Sequence, residues 1–199
     1  MERIESIEIE EWEEVYSPDE DTYLLLDLIN IDKGEDVLEI GSGTGIISLH
    51  CASYGANVTA VDINEKAVLL TKINSEYNNI PLEDVRWSDM FLNIDGLWDV
   101  IIFNPPYLPN VKGYSKDPRW DGGIQGDETV IRFLESAYSY LRPGARVYFC
   151  SSDMAPLTRI YNTIEAGYFI IEQREKTFDF ESIYVFALMA ANYSNSTSI

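Results

Sequence analysis

The chain has 199 residues, with 34 Asp and Glu against 14 Lys and Arg, a formal net charge of -20. That charge excludes free nucleic acid and anionic membrane as default partners, because both are bound through clustered Lys and Arg. The length fits one domain, and 46% hydrophobic with 13% aromatic residues supply a core that needs no disulfide or metal staple.

Residues 1–15 form an acidic lead, in which Ile7 and Ile9 alternate with Glu8 and Glu10 as in a short strand. Met1–Glu5 lacks the basic and then apolar pattern of a signal peptide. Ser17-Pro18-Asp19-Glu20 predicts a helix start, with Ser17 as cap, Pro18 at the first position and Glu20 closing a capping box. That helix is expected to end near Lys33-Gly34. From Glu35 strand and helix alternate. Strands are predicted at Asp36–Ile40, Asn57–Val61, Val85–Trp87, Trp98–Phe103, Ala145–Ser151, Tyr168–Arg174 and Ser182–Met189. Helices are predicted at Ile46–Tyr54, from the Asn64 cap to Tyr77, at Glu128–Leu141 and at Ala155–Ala166. The polar tail, 191–199, carries two glycosylation-type triplets at Asn192 and Asn195, which read as chance.

This alternation predicts an α/β fold: a doubly wound, Rossmann-like, mostly parallel sheet of seven strands whose last strand is antiparallel. Ligand is then expected outside the carboxyl ends of the strands. The run Ile183–Ala191 is too short to cross a bilayer. Cys51 and Cys150 lie far apart with no metal-ligand spacing. These features together predict a cytoplasmic setting and no resident metal. His50, Trp87 and Trp98 read as helix-surface or packing residues.

Two motifs carry the chemistry. Glu39-Ile40-Gly41-Ser42-Gly43-Thr44-Gly45 leaves a strand and opens a helix. Glycines there allow positive φ and close ligand approach. A dinucleotide fingerprint needs its third glycine where Ile46 stands. Here it comes one residue early, at Gly45, as in the glycine loop of S-adenosylmethionine-dependent methyltransferases. Asp62 ends the next strand, where a carboxylate can bind two ribose hydroxyls. Glu39, Asp62 and Asp89 suit a ligand that carries a sulfonium and an ammonium.

The second motif, Asn104-Pro105-Pro106-Tyr107, follows an apolar strand. The prolines hold the chain extended and remove two donors. The Asn104 side-chain oxygen and the Pro105 carbonyl form a rigid acceptor edge, and Tyr107 adds a flat face. Such an edge suits a planar NH2 group: two acceptors take its two N–H bonds while the ring stacks on its plane. Holding that nitrogen in line with a sulfonium methyl promotes transfer by proximity. The same edge serves a glutamine amide or an exocyclic amine of adenine or cytosine. A lysine amine is compatible with the architecture, though its tetrahedral nitrogen fits less well. The segment from Asn104 to Gly126 is a long loop of the kind that usually carries function.

Both motifs resemble class I amino-methyltransferases, and from about Val15 to Met189 the chain is similar to the HemK-type glutamine methyltransferases of peptide-chain release factors. The resemblance implies a methyltransferase domain over residues 16–190. It implies S-adenosylmethionine as cofactor, held by Tyr16, Thr22, Glu39, Gly41, Gly43, Gly45, Asp62, Ile63, Asp89, Met90 and Asn104. Asp89 would meet the exocyclic amine of adenine, with Met90 beside the ring. It assigns catalysis to Asn104, Pro105, Pro106 and Tyr107. The short segment before Tyr16 and the run Trp120–Gly126 resemble the archaeal and eukaryotic branch. The implied partners are a release factor as substrate and a small zinc-binding activator subunit, whose zinc would not belong to this chain. The strand Val85–Trp87 is the sheet edge where the activator would pair. Trp120 would cover substrate or anchor the loop.

Overall fold

The computed structural model describes residues 7–110 and 119–191. The Met1–Glu5 pattern and both glycosylation-type triplets reach beyond the described residues. In chain order the elements are α1 (Glu20–Leu28), β1 (Asp36–Ile40), α2 (Ile46–Ser53), β2 (Asn57–Asp62), α3 (Glu65–Asn78), β3 (Asp84–Trp87), β4 (Trp98–Phe103), α4 (Glu128–Ala137), β5 (Leu141–Ser152), α5 (Leu157–Gly167), β6 (Tyr168–Thr177) and β7 (Ser182–Ala190). The sheet order is β3-β2-β1-β4-β5-β7-β6. Strands β1 to β5 pair in parallel, and β7 runs antiparallel to β5 and β6. The order reverses between β1 and β4, so the crevice for a ligand opens above their carboxyl ends.

The central strands are apolar on both faces because helices cover both. Leu38, Ile101, Val147 and Phe149 face Phe133 and Leu134 of α4 and Ile160 and Ile164 of α5. Val37, Val100, Ile102 and Cys150 face Leu25, Leu28, Ile47 and Cys51. Helix α4 earns its place through a stripe at Val130, Phe133, Leu134 and Ala137, the spacing of one helical face.

Several local expectations are corrected. The cap of α1 is Asp19, whose carboxylate accepts from the Glu20 N–H at 2.8 Å; Ser17 lies too far upstream. The helix stops at Leu28, and Ile29 turns extended. Ile29 and Ile31 remain buried, so the apolar pattern continues without the helix. Helix α4 gives way to a 3-10 turn at Tyr138–Tyr140. Arg142-Pro143-Gly144, expected as a helix stop, belongs to an early stretch of β5, and a register shift against β4 accommodates it. Trp87 is 41% exposed, because β3 is an edge strand, and its indole N–H donates to the Ile63 carbonyl.

The acidic lead forms no strand over the described residues 7–14. It lies extended along α3, tied by side-chain amides. Asn78 accepts from the Glu8 N–H at 2.9 Å and donates to the Glu8 carbonyl at 2.6 Å. Asn74, one turn earlier, does the same for Glu10 at 2.7 and 3.0 Å. Val15 then buries against Ala67 and Leu70 and delivers Tyr16 to the crevice.

Candidate active site

A cavity of about 1080 Å3 opens at the carboxyl ends of β1, β2 and β4. Its lining includes Tyr16, Thr22, Glu39, Gly41, Gly43, Asp62, Ile63, Asp89 and Met90, together with all of Asn104-Pro105-Pro106-Tyr107. One cavity therefore brings together both motifs. Gly45 stands apart from the lining. Its φ of +85° caps α2, and a Cβ there would sit 2.9 Å from the Thr71 methyl, so its role is the turn and the packing of α2 on α3.

The cradle is built by neutral donors. Asp62 is 8% exposed; its Oδ2 accepts from the Gly43 N–H at 2.9 Å and its Oδ1 from the Asn64 N–H at 2.8 Å. Glu39 is 1% exposed and accepts from the Ser48 hydroxyl. Burial pushes the Glu39 carboxyl up to about 8, with the Asp62 charge adding to it and the Ser48 hydrogen bond opposing. Burial likewise raises Asp62, against the backbone N–H bonds that hold it down. Among the described residues neither acid has a cation partner. Asp89, at the rim, pairs with Arg132 at 3.0 Å. A site of this shape and charge fits a cationic ligand, and these residues would hold S-adenosylmethionine.

Above the cradle, the chain after Tyr107 folds back on itself. The Leu108 N–H donates to the Trp120 carbonyl at 3.1 Å, and the Gly122 N–H donates to the Leu108 carbonyl at 2.9 Å. A Cβ on Gly122 would meet the Tyr107 backbone at 2.8 Å, so only glycine lets the two arms approach. Trp120 packs edge-on against Tyr16, with centroids 4.9 Å apart, and also lines the cavity. It both anchors the loop and walls the site.

Asp21 carried no role in the sequence, yet it is the hub of the site. It is 3% exposed. Its Oδ1 accepts from the Tyr16 hydroxyl at 2.8 Å and from the Thr22 N–H at 2.6 Å. Its Oδ2 accepts from the Asn104 amide nitrogen at 3.2 Å and the Tyr107 hydroxyl at 3.3 Å. Burial, with Asp21 close by, holds the Tyr16 and Tyr107 phenols above the ordinary tyrosine value, so both remain donors. The signal for Asp21 was its position beside Thr22, read only as the first turn of a helix.

Fold and site define a class I methyltransferase, and the comparisons agree. The family model for the methyltransferase small domain matches residues 8–178, and the chain belongs to that family. It is 40% identical over 174 residues to a candidate protein N5-glutamine methyltransferase of Methanocaldococcus jannaschii, covering 85% of this chain and 88% of that one. It is 30% identical over 156 residues to the release factor glutamine methyltransferase of Streptococcus pneumoniae, covering 68% of this chain and 53% of that one. A crystal structure of a methyltransferase from Pyrococcus furiosus superposes with a TM-score of 0.62 at 25% identity, covering 83% of this chain and 80% of that one. The chain is an S-adenosylmethionine-dependent methyltransferase.

Proposed function

We propose that the chain methylates the side-chain amide nitrogen of a glutamine in a peptide-chain release factor. The observation that carries this reading is that Asn104 and Pro105 line the same cavity as Glu39 and Asp62, where the Asn104 oxygen and the Pro105 carbonyl would serve as the acceptor edge. An amide nitrogen is a weak nucleophile because its lone pair is delocalised into the carbonyl. Accepting both its protons returns electron density to it, and the Pro106–Tyr107 wall keeps it in line with the methyl donor. Bound S-adenosylmethionine supplies the electrophilic methyl. The chain's own residues orient the amide, exclude water and accept its N–H bonds. No strong base is needed, since the proton leaves after transfer.

The M. jannaschii and S. pneumoniae relatives support the substrate class. The negative charge favours a basic protein segment over a phosphate backbone. A small zinc-binding activator would pair at β3, the free edge of the parallel half of the sheet, beside exposed Trp87.

The test is labelled methyl transfer to purified release factor, with and without activator, followed by mass spectrometry of the modified residue. The label is expected on a glutamine side chain. In Asn104→Ala, transfer is expected to fall by about 100-fold or more, the scale of losing one preorganised transition-state hydrogen bond, while cofactor affinity measured by calorimetry is largely kept. Label on nucleic acid, or full activity in Asn104→Ala, would overturn the reading.

A further inference from the structure

A carboxamide can sit in its pocket two ways, which differ by a half-turn that swaps oxygen and nitrogen. For Asn104 the two are opposite in chemistry. With its oxygen toward the cavity it accepts from a substrate N–H. With its nitrogen there, donor would face donor. Something must choose.

We propose that Asp21 is a positioning residue that locks the Asn104 carboxamide with its nitrogen away from the substrate and its oxygen toward it, Cys150 securing the oxygen end. This rests on the amide-methylation reading above. The Asn104 nitrogen donates to Asp21 Oδ2 at 3.2 Å and to Thr22 Oγ1 at 3.1 Å, which uses both of its hydrogens. The Thr22 hydroxyl donates its own hydrogen to Asp21 Oδ1 at 3.2 Å, so it can only accept from Asn104. Asp21 thus acts twice, directly and by setting the direction of Thr22. On the other side, the Cys150 thiol donates to Asn104 Oδ1. Cys150 is fully buried on β5, and burial, with the Asp21 charge, holds its thiol well above the ordinary value, so it remains an S–H donor. A carboxamide oxygen has two lone pairs. Cys150 takes one, and the other is left for the cavity that Asn104 lines. A flipped amide would set its oxygen against the Asp21 carboxylate, which cannot donate, and would force the Thr22 hydroxyl and the Cys150 thiol to turn their hydrogens.

Asp21→Asn tests this at nearly constant shape. An amide at 21 has one acceptor oxygen where there were two, and its NH2 drives Asn104 to flip. The expected result is a fall of about 100-fold in kcat for glutamine methylation at saturating cofactor, comparable to losing a preorganised acceptor, with KM for the release factor changed by no more than about threefold. A second readout needs no turnover. The side-chain NH2 resonances of Asn104, in asparagine-labelled protein assigned against Asn104→Ala, are expected to exchange slowly with water in the wild type. In Asp21→Asn they are expected to shift and exchange at least about tenfold faster.

Cys150→Ala is expected to lower kcat by about threefold to tenfold, the scale of one neutral hydrogen bond, and Cys150→Ser, which keeps a donor, to restore it to within about twofold. Wild-type kcat with unchanged Asn104 resonances in Asp21→Asn would overturn the proposal. If that variant fails to fold, fast exchange of the Asn104 amide in the wild type, or identical kcat in both Cys150 variants, overturns it instead. If Asn104→Ala is inactive while Asp21→Asn keeps kcat, only the orientation proposal fails. If Asn104→Ala is fully active, the amide reading itself has failed.

Discussion

The two ends of the sheet handle their acids in opposite ways. At the amino ends of the strands, carboxylates meet guanidinium groups. Arg142 reaches Asp36 at 2.7 Å and Asp99 at 2.5 Å, and Arg146 reaches Glu35 at 2.6 Å. At the carboxyl ends, Glu39, Asp62 and Asp21 are more deeply buried, yet among the described residues only hydroxyls, N–H groups and an amide donate to them. Neutral donors satisfy their lone pairs without supplying a counter-charge. At the foot of the sheet the acids serve the fold; at its mouth no counter-charge is built in, and a cation arriving from outside can supply it.

Substitutions can break that contrast. The largest effect is expected at the mouth. Asp62→Asn should weaken S-adenosylmethionine binding by about 10- to 100-fold, from the loss of charge-assisted hydrogen bonds worth about 1.5–3 kcal/mol, as read by calorimetry. Unchanged affinity would mean that the charge at β2 is not used by the cofactor.

A pH dependence comes next. In the ligand-free chain Glu39 keeps its proton up to about 8, whereas the unfolded chain releases it near the ordinary carboxyl value of 4.5. The folded state therefore binds more protons across that window, and this group's contribution to stability is lost as pH rises through it. A cation favours the ionised form, so below pH 8 binding should expel a proton. Cofactor affinity should then rise with pH by at most about tenfold per unit and level off near 8. Calorimetry in buffers of different ionisation enthalpy counts that proton, and Glu39→Gln should abolish both its release and the slope. No proton release at pH 6.5 in the wild type would contradict the assignment.

The smallest effect is expected at the foot. Arg142 and its partners are partly exposed, so screening limits Arg142→Ala to about 1 kcal/mol, a drop of roughly 2–4 °C in Tm. That loss should shrink in high salt and leave cofactor affinity alone. An effect on affinity equal to that of Asp62→Asn would erase the distinction between the two ends.

Periodicity and turn chemistry made the strands, α2, α3 and α5 legible within a few residues, because burial on two faces writes itself as apolar runs such as Val100–Ile102. The glycine loop and Asn104–Tyr107 were legible for a different reason: few chemistries need those residues in that order after a strand. What escaped was set by contacts distant in the chain. Asp21 meets Asn104 across 83 positions, and nothing local distinguishes it from an ordinary first-turn acid. Ser17 and Asp19 are both competent caps, and the backbone chose the nearer. Trp87 reads as core by composition, but its exposure depends on β3 being an edge, which is a property of sheet order.

The ties between Glu8 and Asn78, and between Glu10 and Asn74, have a bearing on how an acidic protein holds itself together. The segment from Glu8 to Glu14 is an acidic stretch laid on a like-charged body. At Glu8 and Glu10 its backbone is fastened by four carboxamide contacts; at its far end the Asn64 amide and the Arg119 guanidinium donate to the Glu14 and Glu13 carbonyls, and Lys66 pairs with Glu14. Carboxamides carry no net charge, so neither counterions nor titration of the glutamates releases them. At Glu8 and Glu10 the fastening is electroneutral, and those glutamates can repel or recruit other molecules without loosening it. High ionic strength should therefore loosen the Glu13–Glu14 end, where Arg119 and Lys66 hold it, before the Glu8–Glu10 end.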